Sequence, residues 1–370
     1  MAIFTDVFED VTKQGRKIPT SDYHETGVHP IIDQGQSAIA GYTDETDGLF
    51  TDVPAIIFGD HTRVLKYVDT PCFLGADGVK LLKTKIANPN YKYLYYVLSS
   101  ANIPNTGYNR HFKWLKEVNI PLPNVDEQQK IVDTLDKIGE LIALRKEQLT
   151  KLDQLVKSRF IELFGDPMTN PMGWDKVNIS AVVGGRVSNG FFAKREDYCA
   201  DGNVKVLGVA HVVNRMYSNI EDLPTTNGSE TDIVKYGVKY GDMLFCRSSL
   251  VAAGIGKASI VPKNTPNNVL FECHVIRLPL DLDKCVPEFM QVLSTTDYFR
   301  NQVIAQSKTA TMTTIGQDGI LKTDIILPPL ELQKQLLKFV EQTDKSKTAI
   351  QASLDKLELL KKSLMQEYFG

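Results

Sequence analysis

Residues 131–163 read IVDTLDKIGELIALRKEQLTKLDQLVKSRFIEL, and the architecture of the chain follows from the spacing of their apolar side chains. Counting alternately four and three residues from Ile131 to Leu163, eight of the ten positions are apolar, and the stretch contains no proline. This period is typical of a coiled-coil seam. It predicts a helix of about 38 residues, or about 57 Å at a rise of about 1.5 Å per residue.

The same arrangement recurs further along the chain. Ile120 and Ile326 occupy equivalent places at an offset of 206, and the Phe-Gly pair at 164–165 is matched by the pair at 369–370 at an offset of 205. The second long segment, which begins after Pro328-Pro329, has apolar residues at seven of its ten seam positions. The chain is therefore predicted to be an internal duplication.

Two long amphipathic helices in one chain can bury their seams against each other, so we predict an antiparallel pair. The alternative is that each helix packs on its own globular domain. The predicted seam residues are Leu135, Ile138, Ile142, Leu149, Leu152, Val156, Ile350, Leu354, Leu357 and Leu364.

Each long helix follows a region of short apolar runs separated by Gly, Pro, Asn and Asp, which is typical of mixed α/β structure. We therefore predict an α+β fold in which two such globular domains are joined by the antiparallel helices, with pseudo-two-fold symmetry. The predicted segments are 1–122 (first domain), 123–167 (first long helix), 168–328 (second domain) and 329–370 (second long helix).

Composition narrows the class of protein. The 370 residues carry a net charge of −3 and are 42% apolar and 24% charged, which is ordinary for a globular chain and excludes global disorder. We find no apolar run of the roughly 18 residues that would span a membrane and no secretory signal. The five cysteines are scattered without a Cys-x-x-Cys pair, so we expect a reduced cytoplasmic setting.

No catalytic motif is found. Gly254-Ile255-Gly256-Lys257-Ala258 does not match the phosphate-binding Walker pattern. The first glycine of that pattern would stand at position 251, which is Val, and the residue after the lysine is Ala rather than Ser or Thr. Asn88-Pro89-Asn90-Tyr91 departs from the Asn-Pro-Pro-Tyr of adenine methyltransferases and is interpreted as a turn. The six histidines lack ligand spacing, so no metal site is predicted. A binding protein is the best interpretation.

Polar loops with basic and aromatic residues occur at comparable places in both halves. Arg and Lys can contact guanine edges or phosphates, and Asn can contact adenine. Any such loop is more often simply solvated than bound to DNA. The candidate DNA-binding residues are His61, Arg63, Tyr108, Asn109, Arg110, Lys113, Lys194, Arg195, Arg247, Ser248, Lys308 and Thr309.

The duplicated junctions resemble those of the specificity subunits of type I restriction-modification systems. The resemblance rests on Ile120–Pro123 with Glu127–Ile131, and on Ile326–Pro329 with Leu330–Lys334. Four further segments look like parts of the target recognition domains of that family: 31–36, 55–62, 75–78 and 241–248. It implies that segments 1–122 and 168–328 are such domains, each of which reads half of a split site in double-stranded DNA. It also implies that the helices dock two methyltransferase subunits, which carry S-adenosylmethionine, and that restriction (motor) subunits join through them.

We therefore expect a non-catalytic subunit that binds no cofactor itself, has no membrane association, and uses its helices as a ruler between half-sites. The low net charge predicts weak DNA binding by the isolated chain. Two other classes of protein stay open: a coiled-coil scaffold that binds no DNA, and an enzyme such as a nuclease with an unrecognised site.

Overall fold

A computed structural model describes residues 1–75 and 77–370; Ala76, part of the quoted segment 75–78, lies outside the described residues. The chain divides into two compact units. The first unit contains Met1–Glu147 together with Gln351–Gly370, and the second contains Gln148–Ile350. Each unit therefore combines a globular part with segments of both long helices.

The first unit contains β1 (Ala2–Ile3), α1 (Phe4–Val7), β2 (Phe8–Asp10), β3 (His29–Ile32), β4 (Gly41–Thr43), β5 (Ala55–Gly59), β6 (Leu65–Val68), β7 (Phe73–Leu74), β8 (Val79–Thr84), α2 (Tyr91–Ser100), α3 (Phe112–Leu115), β9 (Asn119–Ile120) and the start of α4 (Val125–Phe164). The second unit contains β10 (Lys176–Asn178), β11 (Ser188–Asn189), β12 (Val204–Leu207), α5 (Val209–Val212), β13 (Thr225–Thr226), α6 (Glu230–Tyr236), β14 (Asp242–Cys246), β15 (Ser248–Ser249), β16 (Ala258–Ile260), β17 (Val269–Phe271), β18 (Val275–Pro279), α7 (Pro287–Ser294), α8 (Asp297–Ala305), β19 (Lys308–Thr309), β20 (Thr313–Thr314), α9 (Gln317–Leu321), β21 (Asp324–Ile326) and the start of α10 (Leu330–Phe369).

The two globular parts have the same sheet topology. In the first unit, β2, β8, β5 and β6 form one sheet in that order, and β4, β3 and β7 form another in which β3 and β7 are parallel. In the second unit, β11, β18, β14 and β16 repeat the first arrangement, and β13, β12 and β17 repeat the second, with β12 and β17 parallel. The duplication predicted from the helices and their junctions therefore extends to the domains.

The central strands β5 and β14 are buried along their whole length. Because successive side chains of a strand point to opposite faces, each strand contributes to two cores. Phe58 packs in a cluster with Leu135 of α4, whereas Ile57 packs in a separate cluster on the other face. Phe245 and Leu244 divide in the same way in the second unit. The loop that follows each central strand is thereby held at a fixed edge of its sheet.

Both long helices start with the same side-chain contact. The Gln128 amide donates to the carbonyl oxygen of Pro123 at 2.9 Å, and the Gln333 amide donates to that of Pro328 at 2.8 Å. Gln333 is fully buried and also accepts from the Val286 N–H at 2.8 Å. The glutamines of the duplicated junction therefore have a common role as donors to the carbonyl oxygen that precedes each helix. At buried Pro328 such a donor is required, since a buried carbonyl oxygen needs a hydrogen bond.

The long antiparallel helices predicted from the heptads are confirmed within each unit. In the first unit, Lys146 of α4 pairs with Glu358 of α10 at 2.8 Å. In the second unit, Asp153 pairs with Lys347, and the Arg159 guanidinium lies 6.0 Å from the centre of the Phe339 ring. Within the second unit the later α4 residue thus meets the earlier α10 residue. The same order holds in the first unit, where Nζ of Lys361 lies close to Gly139, which precedes Lys146 on α4. The seam residues named above are buried or half-buried; the segment boundaries stay predictions.

Candidate nucleic-acid interface

In the first unit, the structure brings two of the predicted clusters together. Residues 60–63, which follow β5, lie against residues 104–113, which precede and begin α3; we call the two segments the first loop surface. Buried His111 joins them, because its N–H donates to the Asp60 carbonyl oxygen at 2.8 Å and its Nδ1 lies 3.0 Å from the same oxygen. The Asp60 carboxylate accepts from the Phe112 N–H at 2.7 Å.

The side chains on this surface divide into positioned and free ones. The His61 and Tyr108 rings are stacked, and Tyr108 is 86% exposed. Arg63 has a left-handed backbone conformation (φ 62°) and donates from Nη1 to the Ile103 carbonyl oxygen at 3.1 Å, so it links the two loops. Arg110 and Lys113 are exposed. Asn109 is also exposed, and its amide is bonded to the Thr106 carbonyl oxygen.

The second unit has a corresponding surface after β14. Residues 247–251 and 307–314, which we call the second loop surface, are joined in the small sheet where β15 pairs with β20 and β20 with β19. The Ile315 N–H donates to the Arg247 carbonyl oxygen at 3.0 Å. This is the same type of link as the bond from His111 to Asp60, since it ties the loop after the central strand to the segment before the next short helix.

On the second loop surface, Arg247 is half-buried and donates from Nη1 to the Cys273 carbonyl oxygen at 3.1 Å. Ser248 is buried, and its hydroxyl lies 3.1 Å from Nδ1 of His274. Lys308 and Thr309 are exposed. Arg247 is thus partly and Lys308 and Thr309 are largely accessible to solvent, whereas Ser248 holds the loop in place.

The remaining two predicted DNA-binding residues, Lys194 and Arg195, belong to a different segment of the second unit. Lys194 and Arg195 are exposed on a short segment after β11, where the Lys194 N–H donates to Asp197 at 2.7 Å. Among the described residues, neither makes a hydrogen bond or ion pair to the second loop surface. Their DNA contacts stay a prediction without support from this geometry.

The whole-chain charge balance missed how unevenly the acidic residues are distributed, although the local basic clusters were predicted. Residues 78–116 contain no Asp or Glu, and neither do residues 243–271 or 298–317. Some cations in the first stretch are paired with distant carboxylates, as Lys80 is with Asp10 at 2.8 Å. Arg110 and Lys113 have no ion pair among the described residues, so their charge is available to an anionic partner.

Two apolar residues on the second loop surface were also missed. Leu250 and Val251 follow β15 and are 82% and 64% exposed. Both side chains belong to the same segment as Arg247, so they are candidates for an apolar contact on this surface. The sequence pattern could not predict that these two side chains are exposed, since aliphatic residues are ordinarily assigned to the core.

The cysteine that precedes the second loop surface is not activated as a nucleophile. The Cys246 thiol lies beside the loop, and burial raises its pKa, which disfavours the nucleophilic thiolate.

Among the described residues, no group of three or more His, Cys, Asp or Glu side chains could hold a metal ion. Within the same residues, no helix is long and apolar enough to cross a membrane.

Comparison with known proteins finds one family, both by a family model and by individual relatives. The family model for the type I restriction modification DNA specificity domain matches residues 4–154 and 171–359. The specificity subunit of the type I restriction enzyme EcoKI from Escherichia coli (strain K12) is 24% identical over 248 residues, which are 61% of this chain and 50% of that protein. The StySPI specificity subunit from Salmonella potsdam is 26% identical over 275 residues, 68% of this chain and 57% of the relative.

The chain thus spans about half the length of these curated relatives. A crystal structure of a type I restriction-modification S subunit from M. genitalium has a TM-score of 0.57 at 14% identity, and the match covers 100% of this chain and 95% of that one. At this identity the likeness shows the fold alone.

Proposed function

Because the chain belongs to the family of type I restriction-modification DNA specificity domains, we propose that it is the subunit that reads the DNA sequence for such a complex. Specificity subunits have a non-catalytic role in these systems. The observation that carries the proposal is the pair of loop surfaces. Each begins directly after the central strand, β5 or β14, of equivalent sheets, and backbone hydrogen bonds hold it in place. Rigid placement of a polar loop is what base reading requires.

We propose that the target is bipartite and asymmetric. The two loop surfaces occupy equivalent places but carry different chemistry: a stacked His61–Tyr108 pair with Arg110 in the first unit, and Arg247 with Lys308 and exposed Leu250 in the second. Surfaces that differ in donors and apolar groups select different base pairs. Each unit would then read its own half of the site, with an unread spacer between the halves.

The long helices are proposed to dock two methyltransferase subunits. Leu155 of α4 and Leu360 of α10 stand at the repeat offset of 205 and are both exposed, at 49% and 47%. Leu144 and Leu359 add further exposed apolar area on the same helices. Equivalent apolar patches in a duplicated chain suit two copies of one partner.

We place S-adenosylmethionine on those methyltransferase subunits and expect the restriction subunits to join through them. We also propose the cytoplasm as the site of action. The thiols of the cysteines in the described residues are all unpaired, as is usual in a reducing compartment.

Genomic methylation mapping with and without this gene tests the proposal. We expect one split motif to lose methylation when the gene is removed. A gel-shift assay with the methyltransferase partner present should show specific binding of that motif. The double variant Leu155→Asp/Leu360→Asp serves as a control that keeps both loop surfaces but should lose partner binding. Unchanged methylation without the gene would refute the proposed function.

A further inference from the structure

The second unit contains a cleft that the proposed function does not use. Its volume is about 660 Å³. Its walls come from α4, from the loop at 214–217 after α5, from the end of α7 and from α10. This volume falls within the roughly 300–1,000 Å³ typical of small-molecule sites.

The cleft is lined by an excess of positive charge. Lys157, Arg215, Lys257 and Arg300 all contribute to its walls, and none of them pairs with a carboxylate among the described residues. Lys257 donates to the Asn214 side chain at 2.7 Å, and Arg215 donates from Nε to a backbone carbonyl at 3.3 Å. Both contacts fix the cations in place without neutralising them.

Two carboxylates also line the cleft, and neither offsets this charge fully. Asp153 is bound to Lys347, so that pair is neutral. Burial raises the pKa of Asp344, an effect that nearby Lys347 partly opposes. Even with both carboxylates ionised, the five Lys and Arg side chains of the lining outnumber them. The lining as a whole therefore has a net positive charge.

Arg300 supplies the most specific observation. Its Nη2 donates to the Ala253 carbonyl oxygen at 3.2 Å, whereas Nη1 is buried and has no hydrogen-bond partner within the described part of the chain. Burial lowers the pKa of this guanidinium, which means that its charge is incompletely compensated. A desolvated cation with an unused donor is stabilised by an oxyanion.

We propose that this cleft binds a phosphate group, supplied either by a small phosphorylated molecule or by the DNA backbone. Arginine and lysine together favour phosphate, since guanidinium groups bind it in a bidentate manner and ammonium groups add charge. The small-molecule source is independent of the proposed function, whereas the DNA source rests on it.

The first unit offers an internal comparison. A cleft of about 510 Å³ lies at the corresponding place, where Ser99, Glu358 and Lys362 match Ser294, Asp153 and Lys157 at the repeat offsets. Among the described residues that line it, none is an arginine. The proposal therefore assigns the site to the second unit only, with one phosphate bound per chain.

Calorimetric titration of the full-length chain with inorganic phosphate at low ionic strength tests this assignment. We expect saturable binding of one phosphate per chain, weakened about tenfold by Arg300→Gln and less by Arg300→Lys, since one charge-assisted bond contributes about that factor. Lys157→Gln should also weaken it, and because Lys157 is exposed its loss does not threaten the fold. Matched controls are Lys205→Gln on β12 and Lys362→Gln in the first-unit cleft, which should bind as the unmodified chain does. Absence of saturable binding, or equal binding by all variants, would overturn the proposal.

A second arm separates the two sources. If the DNA backbone supplies the phosphate, Lys157→Gln should lower the slope of log affinity against log salt for target DNA by about one, and inorganic phosphate should compete with DNA. If a small molecule supplies it, DNA affinity and slope stay unchanged while phosphate binding is weakened. The DNA measurements are made with the methyltransferase partner present. A chain that binds phosphate but, with that partner, binds no DNA would refute the proposed function and leave the small-molecule site standing.

Discussion

The rings of His61 and Tyr108 stack almost in parallel, with their centroids 4.6 Å apart and an angle of 7° between their planes. His61 belongs to the loop after β5, and Tyr108 to the loop before α3, so the stack bridges the two segments of the first loop surface. Because Tyr108 is 86% exposed, its outer face is open to a partner. The stack gives the first unit a flat aromatic platform beside a stretch, residues 78–116, that contains no Asp or Glu.

Tyr108→Ala should weaken binding of the half-site that the first unit reads. An aromatic pair contributes about 0.5–1.5 kcal/mol beyond the area it buries, so we expect a loss of several-fold in affinity. Gel-shift titration with the methyltransferase partner measures it. Tyr108→Phe, which keeps the ring, is the matched control and should retain most of the affinity. Equal affinity of all three proteins would remove Tyr108 from the interface.

Arg247 and Lys308 should behave differently when each is replaced by Ala. Arg247 is held by its bond to the Cys273 carbonyl oxygen, and a fixed guanidinium can read guanine. We expect its loss to cost about 1–3 kcal/mol and to relax one position of the motif. Lys308 is exposed, so its loss should weaken all targets alike and reduce the salt dependence. Binding to a library of variant half-sites distinguishes the two patterns, and a uniform loss for Arg247→Ala would make it a phosphate contact.

Leu250 and Val251 should contact thymine methyl groups, the apolar feature of the major groove. Replacing thymine by uracil removes one methyl, worth about 0.8 kcal/mol, so affinity should fall about fourfold at the contacted position. In Leu250→Ala/Val251→Ala the same replacement should have no effect. The control Val234→Ala, at an 85% exposed site on α6, should respond as the unmodified chain does. Equal sensitivity to uracil in all proteins would show that these side chains touch no methyl.

The long helices could be predicted because a heptad repeat depends only on sequence spacing; of the predicted seam residues, Leu135 and Leu354 are buried. The same pattern missed Val132, Phe160 and Phe164, which are buried although they lie off the seam. They pack into the globular cores at the helix ends. A helix that packs against two neighbouring elements has two apolar stripes, and one heptad repeat describes only one of these stripes.

The candidate site was predictable in part for a similar reason. Loops rich in polar and basic residues stand out in a sequence, so the segments at 60–63 and 105–113 were found. That buried His111 would join them depends on sheet topology, since its partner Asp60 is 51 residues away. The structural role of Ser248, predicted as a DNA contact, likewise follows from its bond to His274, which lies on another segment.

Glu288 should make stability depend on pH. It is fully buried and accepts from the Tyr217 and Tyr240 hydroxyls at 3.0 and 3.1 Å. Burial raises its pKa above the ordinary 4.5, despite those hydrogen bonds. The folded state then holds the proton more tightly, so the contribution to the free energy of unfolding is present below the ordinary pKa and is lost as pH rises through the raised one.

Urea unfolding at several pH values between 4 and 8 measures this effect. Relative to Glu288→Gln, which cannot ionise, the unmodified chain should lose stability as pH rises across that range. The matched control Glu221→Gln, at an exposed position, should leave the pH dependence of the unmodified chain in place. If the profile of Glu288→Gln runs parallel to that of the unmodified chain, burial does not perturb this carboxyl.

Removing one heptad from each long helix should change the spacing of the DNA target. Seven residues at about 1.5 Å each shorten a helix by about 10 Å, which corresponds to about three base pairs. Because seven residues restore the same seam position, the apolar pattern stays in register. We therefore expect methylation mapping to find the same two half-sites with a spacer about three base pairs shorter. Deleting the heptad from α4 alone serves as the control: it should misalign pairs such as Lys146–Glu358 and lower the melting temperature. An unchanged spacer in the double deletion would mean that the helices do not set the distance between half-sites.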